Sequence, residues 1–245
     1  MAAGTVRLLP TVTAPGPRQM ALDEALLAAG TGTAIRLYRW DPETVSLGCF
    51  QDHSRVAAAL PGPMPMVRRI TGGGAIWHGA EVTYALAAPL GGAVPARTAD
   101  LYGPLHGAIR AALAAAGAAL GRQPETVGDR RYAEEPRCFA SPAADDLVLE
   151  RGKVLGSAAR ARDGRLLVHG SLKLASNPWD GDVVCGCGLD AERAGAALLA
   201  GLAAFLGASP EPAAWTPAEL EAAAAIERAR YGDDAWVRRR EGPRP

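Results

Sequence analysis

The sequence predicts an α+β fold, a single domain built on a largely antiparallel sheet with helices against it. Short segments rich in Val, Ile, Thr and Tyr recur along the chain and are joined by Gly, Pro and Asp turns, which is the pattern of hairpins. Helical periodicity is confined to a few separate stretches and does not follow every strand, which argues against a parallel βαβ sheet. The 245 residues, 49% of them apolar, suffice for one sizeable core with at most a small extension.

The elements read in order as follows. Residues 18–29 (RQMALDEALLAA) place Met20, Ala21, Leu22, Ala25, Leu26 and Leu27 near one side of a helix. Residues 34–40 form a strand, Asp41-Pro42 turns the chain, and residues 44–50 form a second strand. Residues 58–65 carry several Pro and Gly and read as a loop. Strands at 67–70 and 82–88 enclose three consecutive glycines, Gly72, Gly73 and Gly74. Residues 100–120 form a long alanine-rich helix, and 121–142 are polar and irregular. Residues 146–150 and 153–158 form a hairpin turning at Arg151-Gly152, and 166–174 is a further strand. Asp190 caps a helix that runs to 206. Thr216, Pro217 and Glu219 make a capping box with Pro at the first helical position, opening a C-terminal helix over 216–230. The charged, Pro-rich tail 238–245 is expected to fray. No internal repeat divides the chain, so residues 1–245 are read as one catalytic-sized domain.

Composition excludes several function classes. Lys plus Arg equals Asp plus Glu at 26 each, which argues against bulk electrostatic binding to nucleic acid. No run of about 18 uninterrupted apolar residues suggests a membrane span. Residues 1–10 carry one arginine and no long apolar core of the kind a signal peptide needs, so a cytoplasmic protein is expected. Four cysteines (Cys49, Cys138, Cys185, Cys187) in such a chain do not read as a disulfide framework. They and the four histidines lack finger-like spacing, so no metal site is expected.

Two regions carry chemistry. In VRRITGGGAIWHGAEVTYALAAP (67–89), three glycines remove every Cβ, so a ligand can lie directly on the backbone. Arg68 and Arg69 supply cationic donors beside it, and His78 closes the segment. No Gly-Lys-Ser/Thr follows, so this is not a phosphate-binding Walker loop, and strand-like sequence after the glycines excludes a dinucleotide fingerprint. A plain glycine hairpin with solvated arginines fits equally well. The second region spans 137–172. Cys138 sits in a polar, proline-bounded loop, and Lys153 follows a glycine turn and begins an apolar strand. A lysine so placed can set an ammonium against a carbonyl oxygen or phosphate. A cysteine near a cation is partly thiolate and nucleophilic. Taken singly, each also reads as an inert packing cysteine and a solvated hairpin lysine.

Over nearly its whole length the chain resembles the lipoate–protein ligase and octanoyltransferase family, related in fold to biotin protein ligases. MALDEALL (20–27) is similar to the family's first helix, and IRLYRWDPETVSLGCFQ (35–51) to its first hairpin. RRITGGGAIWH (68–78) resembles its acyl-binding glycine motif, GKVLGSA (152–158) its lysine strand, and HGSL (169–172) the strand that follows. The resemblance implies a class II synthetase-like fold, that of the biotin/lipoate ligase catalytic domain, with a mostly antiparallel mixed sheet flanked by helices. The family contains ATP-dependent ligases, which form an acyl-adenylate, and cysteine-dependent transferases, which take octanoyl from a carrier-protein thioester. CFASP (138–142), EVTYAL (81–86) and ARYGDDAWVRRR (229–240) resemble the ligase-like transferases. Departures are Gly-Gly-Gly where transferases often show Gly-Gly-Arg, and Ala159 where their usual segment has Gln. CGCGL (185–189) resembles the nucleophile segment of a distant transferase branch, which leaves Cys187 as an alternative to Cys138.

The resemblance therefore implies Cys138 as nucleophile and Lys153 as the cation at the oxyanion, also managing the proton of the incoming amine. Arg69, Gly72, Gly73, Gly74, His78 and His169 are implied substrate-binding residues, with His78 or His169 helping to deprotonate the cysteine. His169 also reads as a satisfied strand-end histidine. The implied donor is octanoyl-acyl carrier protein. The implied acceptor is a lipoyl domain, of a 2-oxoacid dehydrogenase E2 or of the glycine cleavage H protein. No cofactor is implied, with ATP and Mg2+ needed only under the alternative of a lipoate–protein ligase. A non-catalytic homologue that binds acyl chains or lipoyl domains is the remaining alternative.

Overall fold

Strand residues with apolar side chains on both faces require a sheet covered on both sides, and that is the architecture found. The structure, a computed structural model, describes residues 5–127, 132, 134–149 and 152–241. The elements are β1 (Val6–Leu8), β2 (Val12–Ala14), α1 (Gly16–Ala28), β3 (Thr33–Trp40), β4 (Thr44–Leu47), α2 (His53–Ala59), β5 (Met66–Arg68), β6 (Ile76–His78) and β7 (Glu81–Pro89). There follow α3 (Tyr102–Ala115), β8 (Gly121–Arg122), β9 (Leu147–Leu149), β10 (Gly152–Arg162), β11 (Arg165–Lys173), α4 (Ala191–Leu206), β12 (Pro210–Pro212) and α5 (Pro217–Ile226).

The large sheet runs β12-β1-β3-β7-β11-β10-β9-β8, with β2 added beside β3. It is antiparallel from β3 to β8 and parallel at β12/β1, β1/β3 and β2/β3. The expected α+β class and mixed, mostly antiparallel sheet are therefore present. Side chains alternate across it. Ile35, Leu37, Tyr84, Leu86 and Val168 join the core beneath α3 and α4. Ala34, Tyr38, Trp40, Ala85 and Leu167 face the opposite core, with α1 and a second sheet of order β5-β4-β6. On that second side Arg36, Glu81, Thr83, His169, Ser171 and Lys173 are also buried. Buried polar groups require partners, and this polar face is where the candidate site lies.

Local chemistry accounts for the element ends. Asp190 caps α4 by accepting from Arg193 N at 2.8 Å. Thr216 and Glu219 close the capping box of α5 in both directions. Gly117, at φ +98°, stops the alanine-rich helix, which ends at Ala115 and not near residue 120. Asp163 and Gly164 both adopt positive φ, the two-residue turn that matches strand twist, and so extend β10 to Arg162.

Several expectations are corrected. Strand β4 stops at Leu47, because the chain turns at Gly48. Part of the expected loop 58–65 belongs to α2, whose N-terminus Asp52 caps through Arg55 N at 3.1 Å. The glycines do not join a hairpin, since β5 and β6 lie on either side of β4 and never pair. The hairpin residue Arg151 falls outside the described residues. Among the described residues no helix is long and apolar enough to cross a membrane.

Arg68, expected to supply a donor beside the glycines, is turned away from them. It is 2% exposed and offers nothing to a ligand. Its guanidinium donates to the carbonyls of Gly48, Cys49 and Gln51 and to those of Trp236 and Val237. Trp236 Nε1 returns a bond to Arg68 O at 2.7 Å. The C-terminal segment is thereby ordered through the turn Ala235–Arg239, where fraying was expected from 238, while residues 242–245 lie outside the described residues. Arg68→Lys keeps the charge but loses the fork, leaving buried carbonyls without donors. Urea unfolding is expected to show a loss of more than about 2 kcal/mol, with faster proteolysis after residue 230. An unchanged midpoint would contradict this.

Candidate active site

The polar face of β3, β7 and β11 and the small sheet enclose a chamber of about 70 Å³. Met20, Tyr38, Trp40 and Ile76 give it an apolar wall. Cys138, Asp146, Lys153 and Ser157 stand together on its lining.

Cys138 reaches this position because its loop is pinned to the glycine segment. Cys138 N donates to Ala75 O at 2.9 Å, and Ala75 N to Pro136 O at 2.8 Å. A side chain at Gly74 would meet Cys138 Cα at 2.7 Å, so only glycine lets the two backbones approach. Lys153 lies on β10, beside a bulge where β10 carries one residue more than β9 between Lys153 and Leu155. Its Nζ donates to Asp146 Oδ2 at 2.8 Å and to Cys138 Sγ at 3.4 Å. Gly156 makes this geometry feasible, since a Cβ there would collide with the Lys153 ammonium and come within 3.2 Å of Asp146 Oδ1. Burial pulls the Lys153 pKa down, but the charges of Asp146 and Cys138 and the Asp146 hydrogen bond outweigh it, and the pKa stands above its ordinary value. An ammonium so held has no lone pair to receive a proton, which corrects the expectation that Lys153 manages the proton of an amine. It remains a fixed positive charge beside sulfur.

The glycine platform is present, but its arginine works inward. Arg69 spends Nε on Thr71 Oγ1, Nη1 on Ser46 O and Oγ, and Nη2 on Gly72 O and Gly74 O. All five N–H donors are accounted for, so Arg69 holds the loop in shape and contributes only field to the chamber. Gly73 sits at φ +92°, which a β-branched residue resists. A side chain at Gly72 would meet open space.

His78 and His169 are also fully engaged. His78 Nδ1 lies 2.6 Å from Glu81 Oε1, and Nε2 lies 2.7 Å from Ser46 Oγ. His169 Nδ1 lies 2.9 Å from Asp23 Oδ2, and Nε2 lies 2.7 Å from Thr71 Oγ1. Both line the chamber, yet neither presents a free nitrogen to Cys138. Burial lowers the His78 pKa to about 4 against the pull of Glu81. Burial also opposes ionisation of Glu81, but His78 and Lys173 hold its carboxyl below the usual range.

A third histidine, His106, carries no sequence signal. Its Nδ1 lies 2.8 Å from Asp145 O and its Nε2 2.7 Å from Ser157 Oγ. Asp146, Ser46 and Ser157 were likewise missed, because pairing between distant segments is what creates their roles. Cys187 packs in the apolar core on the far face of the sheet, and burial raises its pKa. It is therefore placed poorly for a nucleophile, and Cys138 alone of the two lines the chamber among the described residues.

Comparison with known proteins gives a consistent picture. Residues 15–181 match the lipoyl protein ligase A/B catalytic domain. A protein of Kyrpidia tusciae named octanoyltransferase LipM is 32% identical over 95% of this chain and 98% of its own length. Relatives from other bacteria carry the same name. A crystal structure of lipoate-protein ligase A bound with ATP superimposes with TM-score 0.79 and 19% identity, covering 96% of this chain and 98% of that one. A bipartite lipoate protein ligase of Thermoplasma acidophilum, described with its E2 lipoyl domain, gives TM-score 0.73 and 19% identity over 96% of each chain. At that identity the two structures establish the fold.

The buried imidazole predicts an acid sensitivity. With His78 neutral in the fold down to about 4 and an unfolded value of 6.5, the unfolded state binds the extra proton first. Stability from this group is complete above pH 6.5 and falls by up to about 1.4 kcal/mol per pH unit towards pH 4. Urea midpoints across that window should fall less steeply for His78→Gln than for the unaltered chain. Parallel slopes would contradict a buried neutral imidazole.

Proposed function

The chain belongs to the lipoyl protein ligase A/B catalytic-domain family, and from that premise we propose that it moves an octanoyl group from acyl carrier protein to a lipoyl-domain lysine through Cys138. The chain is an octanoyltransferase of protein lipoylation. The donor, the acceptor and the covalent intermediate are inferred from the site.

The observation that carries the reading is Lys153 Nζ at 3.4 Å from Cys138 Sγ inside an apolar chamber. An ammonium there stabilises negative charge on sulfur, and the thiolate is the attacking species. Sulfur adds to the thioester carbonyl, the oxygen becomes negative, and Lys153 faces that charge as it develops. Collapse breaks the C–S bond to the donor, whose sulfur leaves as a thiolate and takes a proton from water, and leaves octanoyl on Cys138. The alkyl tail lies against Met20, Tyr38 and Trp40, where burial of its methylenes favours binding by about 0.8 kcal/mol each. The acceptor amine then attacks the same carbonyl and Cys138 leaves as thiolate. The thioester arrives already activated, so the reaction as proposed needs no ATP, metal or other cofactor. A cysteine hydrogen-bonded to the lysine has no part in an adenylate mechanism, which favours the transferase over the ligase reading.

Intact-mass spectrometry after incubation with octanoyl-acyl carrier protein tests this. An octanoyl adduct is expected on the unaltered chain, absent in Cys138→Ser, and discharged when a lipoyl domain is added. An adduct that persists in Cys138→Ser and vanishes in Cys187→Ser would move the nucleophile. Transfer that requires ATP and free acid would replace the reading with a ligase.

Gly156→Ala probes the lysine's placement without touching it. The new methyl displaces the ammonium, at a stability cost of about 1–3 kcal/mol for overpacking. Misplacement near the chemistry predicts a rate loss of about 10²-fold. A folded Gly156→Ala with full transfer activity would show that the position of Lys153 is not critical.

A further inference from the structure

Amide formation must shed a proton from nitrogen, and the site as described offers no obvious acceptor. Lys153 is already an ammonium, and the Asp146 carboxylate is occupied by it and by Ala143 N at 2.6 Å. The three buried histidines each sit beside a hydroxyl, and their hydrogen bonds fix where their protons lie. Asp145 O can only accept, so His106 Nδ1 carries a hydrogen and Nε2 a lone pair. Ser157 therefore donates its Oγ–H to Nε2, and Tyr84, 2.6 Å away, donates to Ser157 Oγ. Serine against a neutral, oriented imidazole is the arrangement of a general base acting through a hydroxyl.

The hydroxyls of the other two pairs are less exposed than Ser157, although Ser46, His78 and His169 also border the chamber. Among the described residues Thr71 is not on the chamber lining, and Ser46 is 1% exposed with Arg69 Nη1 already on its oxygen. Ser157 is half-buried and lines both the inner chamber and an outer hollow of about 330 Å³ shared with Tyr102 and Ser141. It also follows Gly156, whose missing side chain makes room for Lys153. Ser157 therefore stands where the outer hollow and the inner chamber meet.

We propose that Ser157 and His106 form the proton relay of the amide-forming step, an inference that rests on the transferase reading above. As the amine nitrogen bonds to the thioester carbon, its N–H proton passes to Ser157 Oγ while the Ser157 proton passes to His106 Nε2. The carbonyl re-forms, the C–S bond breaks, and sulfur takes the bonding pair as a thiolate beside Lys153. His106, now an imidazolium, releases its proton to water by the reverse path. Ser157 is the catalytic residue of the pair and His106 acts through it. Burial lowers the His106 pKa, Asp146 and the Asp145 carbonyl oppose this, and Lys153 adds to it, so the imidazole is free to accept near neutral pH. Among the described residues the remaining groups against it are Tyr102, with ring centres 5.9 Å apart, Tyr84 through Ser157, and the Asp145 carboxylate, itself paired with Arg122 at 2.9 Å.

The test separates the two half-reactions. Ser157→Ala and His106→Gln are loaded from octanoyl-acyl carrier protein, then discharged onto a lipoyl domain or onto hydroxylamine, and followed by intact mass. Hydroxylamine is a far weaker base than a lysine amine and sheds its proton to water without help. The expected result is unchanged loading and unchanged discharge to hydroxylamine. Discharge to the lipoyl domain is expected to slow by about 10²-fold near pH 7, with the deficit shrinking as pH rises. Equal slowing with both nucleophiles would mean a packing role, and no slowing would mean no role, so either overturns the relay. Failure of the unaltered chain to load at all would instead overturn the transferase reading.

Discussion

A lysine ammonium that is 3% exposed survives in a protein only if its charge is answered on the spot. At Lys153 the answer is Asp146 at 2.8 Å, and much of the neighbouring structure serves that pair. Asp145 adopts φ +73°, a conformation that costs a non-glycine residue energy. The β10 bulge shifts register just after Lys153, and Gly156 leaves the ammonium its space. Phe139 lies between the Lys153 and Lys173 ammonium groups, 5.1 and 4.9 Å from its ring centre, which fixes the residue next to Cys138. Cation, nucleophile and loop are thus positioned by one connected set of contacts.

The same rule shapes the rest of the polar face. Arg36 is paired with Asp23, Lys173 with Glu81, and His169 with Asp23. Arg68 and Arg69 close on backbone carbonyls. A network whose donors and acceptors are satisfied but for Arg36 Nε is stiff. The chamber beside it is therefore preformed, and an entering acyl chain meets its apolar wall with little reorganisation.

Much of this was legible in the sequence wherever local chemistry decides the outcome. Asp190, Thr216 and Glu219 announce two helix starts through their caps, and the β-branched runs at β3 and β7 announce strands. Cys138 and Lys153 were singled out by their turn and loop contexts together with the resemblance of their motifs. The roles of the arginines were not legible, because an arginine beside bare backbone can serve a ligand or its own loop, and only the distances to Gly72 O and Gly74 O decide. Nor was the separation of β5 from β6, since β4 enters between them from earlier in the chain. Asp146 just before β9, Ser157 on β10 and His106 on α3 meet only through the packing of those segments, with His106 reaching the chamber through Ser157.

The central claim is that a single fixed ammonium organises covalent acyl chemistry on Cys138 within one apolar chamber. A crystal structure of the octanoylated enzyme tests it most directly. The account predicts the acyl carbon on Cys138 Sγ, its carbonyl oxygen within hydrogen-bond reach of Lys153 Nζ, and the tail among Met20, Tyr38 and Trp40. An acyl group on Cys187, or a tail in the outer hollow with the chamber empty, would contradict it.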